Sequence, residues 1–188
     1  MKKTLCALLA LLCLTAGSGA TALAEATETP KTEEIEIVPV QLTTEAPAAE
    51  SGVLLGFEEG FALELPEGWK CYAPDAEMRE NDVSYCLSDA DGARWLYIQR
   101  WTSDRADIEA LNRQIEQEAQ PRTSGVYNYN GVDFVVYDLA EGDVSCCATL
   151  LNGDVLNFAF TPQSDREYML IAIKIMGSFA IISDAEAE

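Results

Sequence analysis

The chain has 188 residues, and its 32 Asp and Glu residues against 12 Lys and Arg residues give a formal net charge of −20. Because so acidic a protein repels phosphate groups, we expect neither a nucleic-acid partner nor peripheral binding to anionic lipids. The complete absence of histidine excludes Ser–His and Cys–His catalysis and most zinc sites.

Residues 1–24 have the three parts of a cleavable secretory signal peptide. Two lysines come first, an uncharged apolar stretch comes next, and small residues ending in Ala22 and Ala24 complete the pattern. The apolar stretch is shorter than the roughly 20 residues that cross a bilayer. We therefore expect cleavage after Ala24, a secreted or cell-envelope location, and no stable membrane span afterwards. The loss of both lysines would leave ten basic and 32 acidic residues, a formal charge of −22.

Two other outcomes for the N-terminus stay open. Cys13 could be the lipidated cysteine of a lipoprotein, although Leu12 stands where a lipobox has a small residue. The segment could also be retained as an N-terminal anchor. After the cleavage point, residues 25–52 are rich in Thr, Glu, Pro and Ala and predict a disordered acidic linker. Residues 183–188 form an acidic tail.

Residues 53–182 have the composition of a single globular domain. Apolar alternation between turn-forming residues predicts eight strands, at 61–65, 69–72, 83–87, 94–101, 126–129, 132–139, 144–151 and 154–161. The dipeptides Asn130-Gly131 and Asn152-Gly153 predict tight hairpins, because both positions of such a turn need positive φ. A short helical turn fits within 73–81.

Two longer helices are predicted. The first covers 104–119, with Asp104 as its cap and an apolar stripe along one side. The second covers 165–177, where Ser164 and Glu167 form a capping box.

The order of these elements predicts the fold class. Consecutive hairpins make one antiparallel sheet, and the strand at 94–101 is apolar on both faces. Each face then needs a helical cover. We therefore expect an α+β domain whose antiparallel β-sheet is flanked by helices on both faces, a three-layer α/β/α sandwich.

Several short motifs resemble those of PsbP-like and DcrB-like extracytoplasmic domains. The segment FALELPEGW at 61–69 is similar to their F-x-L-x-x-P-x-x-W opening, and NGVDFVVY at 130–137 is similar to a later hairpin. LNFAFTP at 156–162 leads into a helix that ends in GSF at 177–179. The resemblance implies an antiparallel sheet between helices and an extracytoplasmic setting. It implies no catalytic residues.

Four cysteines remain after signal cleavage: Cys71, Cys86, Cys146 and Cys147. In an exported protein they could form disulfides, with three possible pairings, or they could be free and buried. Cys146 and Cys147 are neighbours on a predicted strand, so their side chains should point to opposite faces. Without a C-x-x-C motif or any histidine, they do not indicate a metal site.

Trp95, Tyr97 and Trp101 lie on one face of a predicted strand. If exposed, such an aromatic row could stack against sugar rings or a partner's surface. If a helix covers them, they belong to the core.

The segment SDADGA at 88–93 is similar to the middle of a calcium-binding EF-hand loop. However, Leu87 and Ile98 occupy the end positions, where carboxylates are required. A hairpin turn rich in Asp and Gly explains the same residues, so we expect no metal.

Taken together, these features favour an exported, non-enzymatic binding or scaffold domain without a cofactor. Its partner would be an unidentified protein or envelope component. The alternative is a carboxylate-dependent hydrolase that acts outside the cytoplasm, because two of the many acidic residues could supply an acid and a base.

Overall fold

The structure is a computed structural model that describes residues 52–182. The signal peptide at 1–24, its cleavage after Ala24 and the lipidation alternative at Cys13 lie outside the described residues. So do the tail at 183–188 and the linker at 25–52 except for its last residue. These assignments stay predictions.

Ten strands and three helices make up the described part of the chain. The strands are β1 (Gly52–Phe57), β2 (Phe61–Pro66), β3 (Lys70–Tyr72), β4 (Val83–Ser88), β5 (Trp95–Thr102), β6 (Thr123–Tyr129), β7 (Val132–Asp138), β8 (Ser145–Leu151), β9 (Asp154–Thr161) and β10 (Ala180–Ile181). The helices are α1 (Ala76–Glu80), α2 (Ile108–Ala119) and α3 (Arg166–Gly177). All eight predicted strands are present as β2–β9, whereas β1 and β10 were not predicted.

The strands form two antiparallel sheets, so the expectation of one sheet is wrong. The larger sheet has seven strands in the order β3-β4-β5-β9-β8-β7-β6, and the smaller has three in the order β1-β2-β10. In the smaller sheet, Gly52 already pairs with Pro66, so the strand begins at the last residue assigned to the linker. The smaller sheet could not be predicted from the sequence, because β10 has only two residues and pairs with a strand near the other end of the domain.

Two tight turns join the strands at one side of the larger sheet. Asn130 and Gly131 have φ angles of 51° and 84°, and Asn152 and Gly153 have 54° and 87°. Positive φ at both positions of each pair is the geometry that Asn-Gly favours. Both predicted hairpins are confirmed.

The helix caps differ from those predicted. Asp107, not Asp104, caps α2, and its carboxylate accepts a hydrogen bond from the backbone N–H of Ala110. Asp165 caps α3 in the same way through the N–H of Tyr168. The Ser164 hydroxyl donates instead to the carboxylate of Asp143, which removes it from the predicted capping box.

Two apolar cores pack against the larger sheet. The first core joins side chains of both sheets to α3, and its members include Phe61, Phe158, Tyr168, Ile175 and Phe179. The second core joins α2 to the larger sheet, and its members include Leu111, Ile115, Val135, Tyr137 and Val155. Alternate residues of a strand enter different cores, as the pleat requires. Cys147 lies in the first core and Cys146 in the second, so the prediction that they point to opposite faces is confirmed.

The domain is therefore α+β with antiparallel sheets, as expected at that level. On the side of α3 we expected a layer made of helix alone. The structure instead has α3 and the smaller sheet together, and both contribute side chains to the first core. None of the helices formed by residues 52–182 has the length and apolar character needed to cross a membrane.

Candidate functional site

The three aromatic residues proposed for binding lie on β5 and contribute to the same core. Tyr97 is buried, with 7% of its surface exposed, and belongs to the second core. Trp95 and Trp101 are half-buried and pack against that core. The residues share a face as predicted, but they do not form a fully exposed row.

A different aromatic set is continuous in space. The rings of Trp95 and Tyr97 stack with centroids 5.8 Å apart and planes 6° apart, and Tyr72 packs on Trp95 at 5.8 Å. We call Tyr72, Trp95 and Tyr97 the aromatic ladder. Tyr72 joins it because β3 pairs with β4 and β4 with β5. Tyr72 was not predicted from the sequence, because only the pairing of these three strands brings it next to Trp95.

Trp101 does not take part in the aromatic ladder. Between it and Tyr97 on the same face lies Gln99, a buried polar residue with 3% of its surface exposed. The Gln99 amide accepts a hydrogen bond from Asn157 at 2.8 Å and donates one to the carbonyl of Asn81 at 3.1 Å. This polar cluster separates Trp101 from the other two aromatic residues.

The exposed end of the aromatic ladder adjoins the turn between β4 and β5. The indole N–H of Trp95 donates to the carbonyl of Gly92 at 2.9 Å. Asp89 organises this turn, since its carboxylate accepts hydrogen bonds from the N–H groups of Ala93 and Arg94. The first of the two acidic residues in the suspected calcium motif thus has a structural role in the turn, as the hairpin interpretation predicts.

Two exposed acidic residues lie near the aromatic ladder. Asp91 is exposed and precedes Gly92 in the turn. Asp75 is exposed at the start of α1, which it caps through the N–H of Met78. Burial is the main cause of the raised pKa of Tyr97, and Cys86 and the charge of Asp75 raise it further. A negative potential therefore reaches the aromatic ladder.

The four cysteines are free and buried. Burial raises the pKa of Cys71 to about 11 and that of Cys86 to about 12. It also raises the pKa of Cys146 to about 12, and that of Cys147 even more. A thiol must ionise to act as a nucleophile or metal ligand, so these environments oppose both roles.

The carboxyl groups give limited support to hydrolytic chemistry. Asp165 has a lowered pKa, because it accepts the N–H of Tyr168 and because Arg94 donates to it at 2.9 Å. Burial raises the pKa of Asp82, which is the direction a general acid requires. Over residues 52–182, no group of three or more His, Cys, Asp or Glu side chains is placed to hold a metal ion.

Comparison with known proteins adds one structural similarity. No protein-family model matches the sequence, and no curated protein matches it. The chain is similar to the solution structure of cyanobacterial PsbP (CyanoP) from Synechocystis sp. PCC 6803, with a TM-score of 0.49 and 12% sequence identity. The match covers 75% of this chain and 98% of that chain. A resemblance to PsbP is confirmed. The resemblance to DcrB-like domains stays a prediction, and a similarity at this level says nothing about what the chain binds.

Proposed function

We propose that this chain is an exported, non-enzymatic domain that binds a basic segment of a protein or envelope component at the exposed end of the aromatic ladder. The observation that carries the proposal is a half-buried tryptophan, Trp95, that stacks on Tyr97 and packs on Tyr72 at an angle of 41°, with exposed acidic residues nearby. The predicted signal peptide supports a place outside the cytoplasm. In this proposal α2 and α3 support opposite faces of the larger sheet and keep β5 rigid.

The chemistry of the site favours a cationic ligand. The face of a tryptophan ring attracts Lys and Arg side chains, and the interaction contributes about 0.5–1 kcal/mol at exposed positions. Asp75 and Asp91 add long-range attraction for the same side chains. The formal charge of −22 expected after signal cleavage would speed the approach of a basic partner and weaken binding to anionic ones.

The proposal is tested by comparing two tryptophans of one strand. Trp95→Leu removes the central ring of the aromatic ladder. Trp101→Leu is the matched control, because Trp101 is also half-buried on the same face of β5 but lies outside the ladder. Each purified variant is first checked for native circular dichroism and then immobilised to capture proteins from a cell-envelope extract.

We expect the wild type and Trp101→Leu to retain the same basic protein and to release it at high salt. Trp95→Leu should retain at least about fivefold less, which corresponds to roughly 1 kcal/mol of lost binding free energy. Equal capture by Trp95→Leu and the wild type would contradict the proposal, as would the absence of any salt-sensitive ligand.

A further inference from the structure

Strand β6 forms one edge of the larger sheet. It pairs with β7 over seven consecutive residue pairs, and within the described residues no strand lies on its other side. The two-residue turn at 130–131 makes Tyr129 and Val132 a hydrogen-bonded pair. Along two antiparallel strands, residue pairs that exchange backbone hydrogen bonds alternate with pairs that do not. The backbone groups of the alternate residues Ser124, Val126 and Asn128 therefore point outward.

This edge lacks the features that usually prevent strands from pairing with other chains. Natural edge strands are protected by short length, charged residues, proline or a bulge. The segment TSGVYNY at 123–129 has no charged residue and no proline, and its register with β7 has no shift. The opposite edge, β3, has only three residues and carries Lys70. On β6, by contrast, Tyr127 has 56% of its surface exposed.

The residue pattern of β6 is complementary to itself. With a two-fold axis at Val126, antiparallel pairing places Val126 opposite its own copy and Ser124 opposite the second copy's Asn128. Tyr127 then faces the second copy's Gly125, so the largest side chain of the strand meets the residue without one. Within a single chain Tyr127 already lies beside Gly125, where an added Cβ would be 3.1 Å from the ring. Packing of an aromatic ring over an opposing glycine stabilises paired strands.

We propose that β6 pairs antiparallel with β6 of a second copy of this chain and joins the two larger sheets into one. The strand itself carries no charge, and an acidic group in direct contact with it is the Glu116 carboxylate of α2, which accepts a hydrogen bond from the Ser124 hydroxyl at 2.7 Å. The formal charge of −22 expected on each exported copy still repels the other copy, so added salt should strengthen the dimer. A contact made mainly by one strand lies at the small end of protein interfaces, so the dimer should depend on concentration.

The first test uses the unmodified exported chain. Sedimentation equilibrium from about 1 µM to about 500 µM, at low salt and at about 0.5 M salt, should show a monomer–dimer equilibrium that salt shifts towards dimer. Amide hydrogen exchange read by NMR then locates the contact. The amides of Ser124, Val126 and Asn128 should exchange at least about tenfold more slowly at the highest concentration. Those of Gly125 and Tyr127 bond to β7 and should be slow at every concentration.

A pair of variants separates the strand edge from general surface hydrophobicity. Tyr127→Glu places a negative charge at the centre of the contact. Leu170→Glu makes the same kind of change at an apolar residue of α3 that is 64% exposed. We expect Tyr127→Glu to raise the dissociation constant at least about tenfold and Leu170→Glu to leave it within about twofold.

Three results would overturn the proposal. One is a wild-type chain that stays monomeric at about 500 µM in high salt. Another is a dimer in which the Ser124, Val126 and Asn128 amides exchange as fast as in the monomer, which would place the contact elsewhere. The third is protection of these amides only when an extended segment of another protein is added, since the edge would then serve a different partner.

Discussion

The four cysteine side chains are placed where no two of them can form a disulfide. Cys86 and Cys146 share the second core, but β5 and β9 lie between their strands. At about 4.8 Å per strand their Cα atoms are roughly 14 Å apart, whereas a disulfide needs less than about 7 Å. Cys71 and Cys147, in the first core, lie still farther apart, on β3 and β8. Every other pairing joins side chains on opposite faces of the sheet.

We therefore predict four free thiols that react only when the protein unfolds. Burial hides them from a maleimide and raises each thiol pKa, so little thiolate forms at pH 7. Peptide mapping by mass spectrometry, which also distinguishes Cys6 and Cys13 if they are retained, should find all four unlabelled in native buffer. In about 6 M guanidinium chloride all four should be labelled within minutes. A disulfide between any two of them in the unreduced protein would contradict this prediction.

At the scale of single residues, local rules were sufficient for two of the predictions. The pleat of a strand fixes the opposite directions of Cys146 and Cys147, and turn chemistry fixes the positive φ angles of Asn130 and Asn152. Whether Tyr97 is buried or exposed could not be predicted from the sequence of its strand. It depends on elements distant in the chain that complete the second core, and the sequence of one strand does not encode their positions.

At the scale of elements, the cap of α2 gives a direct test of how the helix begins. The carboxylate of Asp107 accepts the N–H of Ala110 at 2.7 Å. Asp107→Ala leaves that donor without its partner and should lower the free energy of unfolding by about 1 kcal/mol. Asp107→Asn keeps a side-chain acceptor and should lower the free energy of unfolding by only a few tenths of a kcal/mol. Urea unfolding followed by tryptophan fluorescence measures both.

Asp104→Ala is the control for that experiment. The sequence alone favours Asp104 as the cap, but in the structure its side chain is 73% exposed and makes an ion pair with Arg105 at 3.4 Å. An exposed ion pair of this kind contributes little to stability, so Asp104→Ala should change the free energy of unfolding by no more than about 0.5 kcal/mol. Equal losses from Asp104→Ala and Asp107→Ala would mean that the helix starts earlier than the structure shows.

The two misassigned caps have different physical reasons. At α2, Asp104 and Asp107 both precede the same apolar stripe, and a periodic pattern fixes the face of a helix better than its first turn. At α3 the outcome depends on a distant partner. Asp143, on the loop between β7 and β8, takes the Ser164 hydroxyl and leaves the cap to Asp165. The existence of both helices was predictable, but the residue that starts each one was not.

At the scale of the whole molecule, a buried polar network ties distant parts of the chain together on the larger sheet. The Tyr137 hydroxyl of β7 donates to the Asn157 side chain of β9 at 3.1 Å, and Asn157 donates to Gln99 of β5 at 2.8 Å. Gln99 in turn donates to the carbonyl of Asn81, just after α1. Tyr137, Gln99 and Asn157 are nearly inaccessible to water, with 3%, 3% and 1% of their surfaces exposed. Such groups are costly to bury unless each has a partner.

Because the members of this network make different numbers of hydrogen bonds, substituting them should lower the free energy of unfolding by different amounts. Tyr137→Phe removes one hydrogen bond and leaves one acceptor of Asn157 unpaired, so it should lower the free energy of unfolding by about 1–2 kcal/mol. Asn157→Ala removes the hydrogen bonds that Tyr137 and Gln99 each make to this side chain, although Gln99 keeps its bond to Asn81, and it should lower the free energy of unfolding by about 3 kcal/mol. Because burial raises the pKa of Tyr137 well above its ordinary value, the hydroxyl stays protonated. The cost of Tyr137→Phe should therefore be the same at pH 6 and pH 9.

A double-mutant cycle that combines Tyr137→Phe with Asn157→Ala tests whether the two side chains stabilise the fold together. If they do, the cost of the double variant should differ from the sum of the two single costs by at least about 0.5 kcal/mol, since they share one hydrogen bond. Tyr127→Phe is the matched control, because its hydroxyl belongs to a side chain that is 56% exposed and the change should cost almost nothing. Additive costs, or a Tyr137→Phe variant as stable as the wild type, would show that the network does not couple β7 to β9. The stability of the larger sheet would then come from its backbone pairing and its two apolar cores.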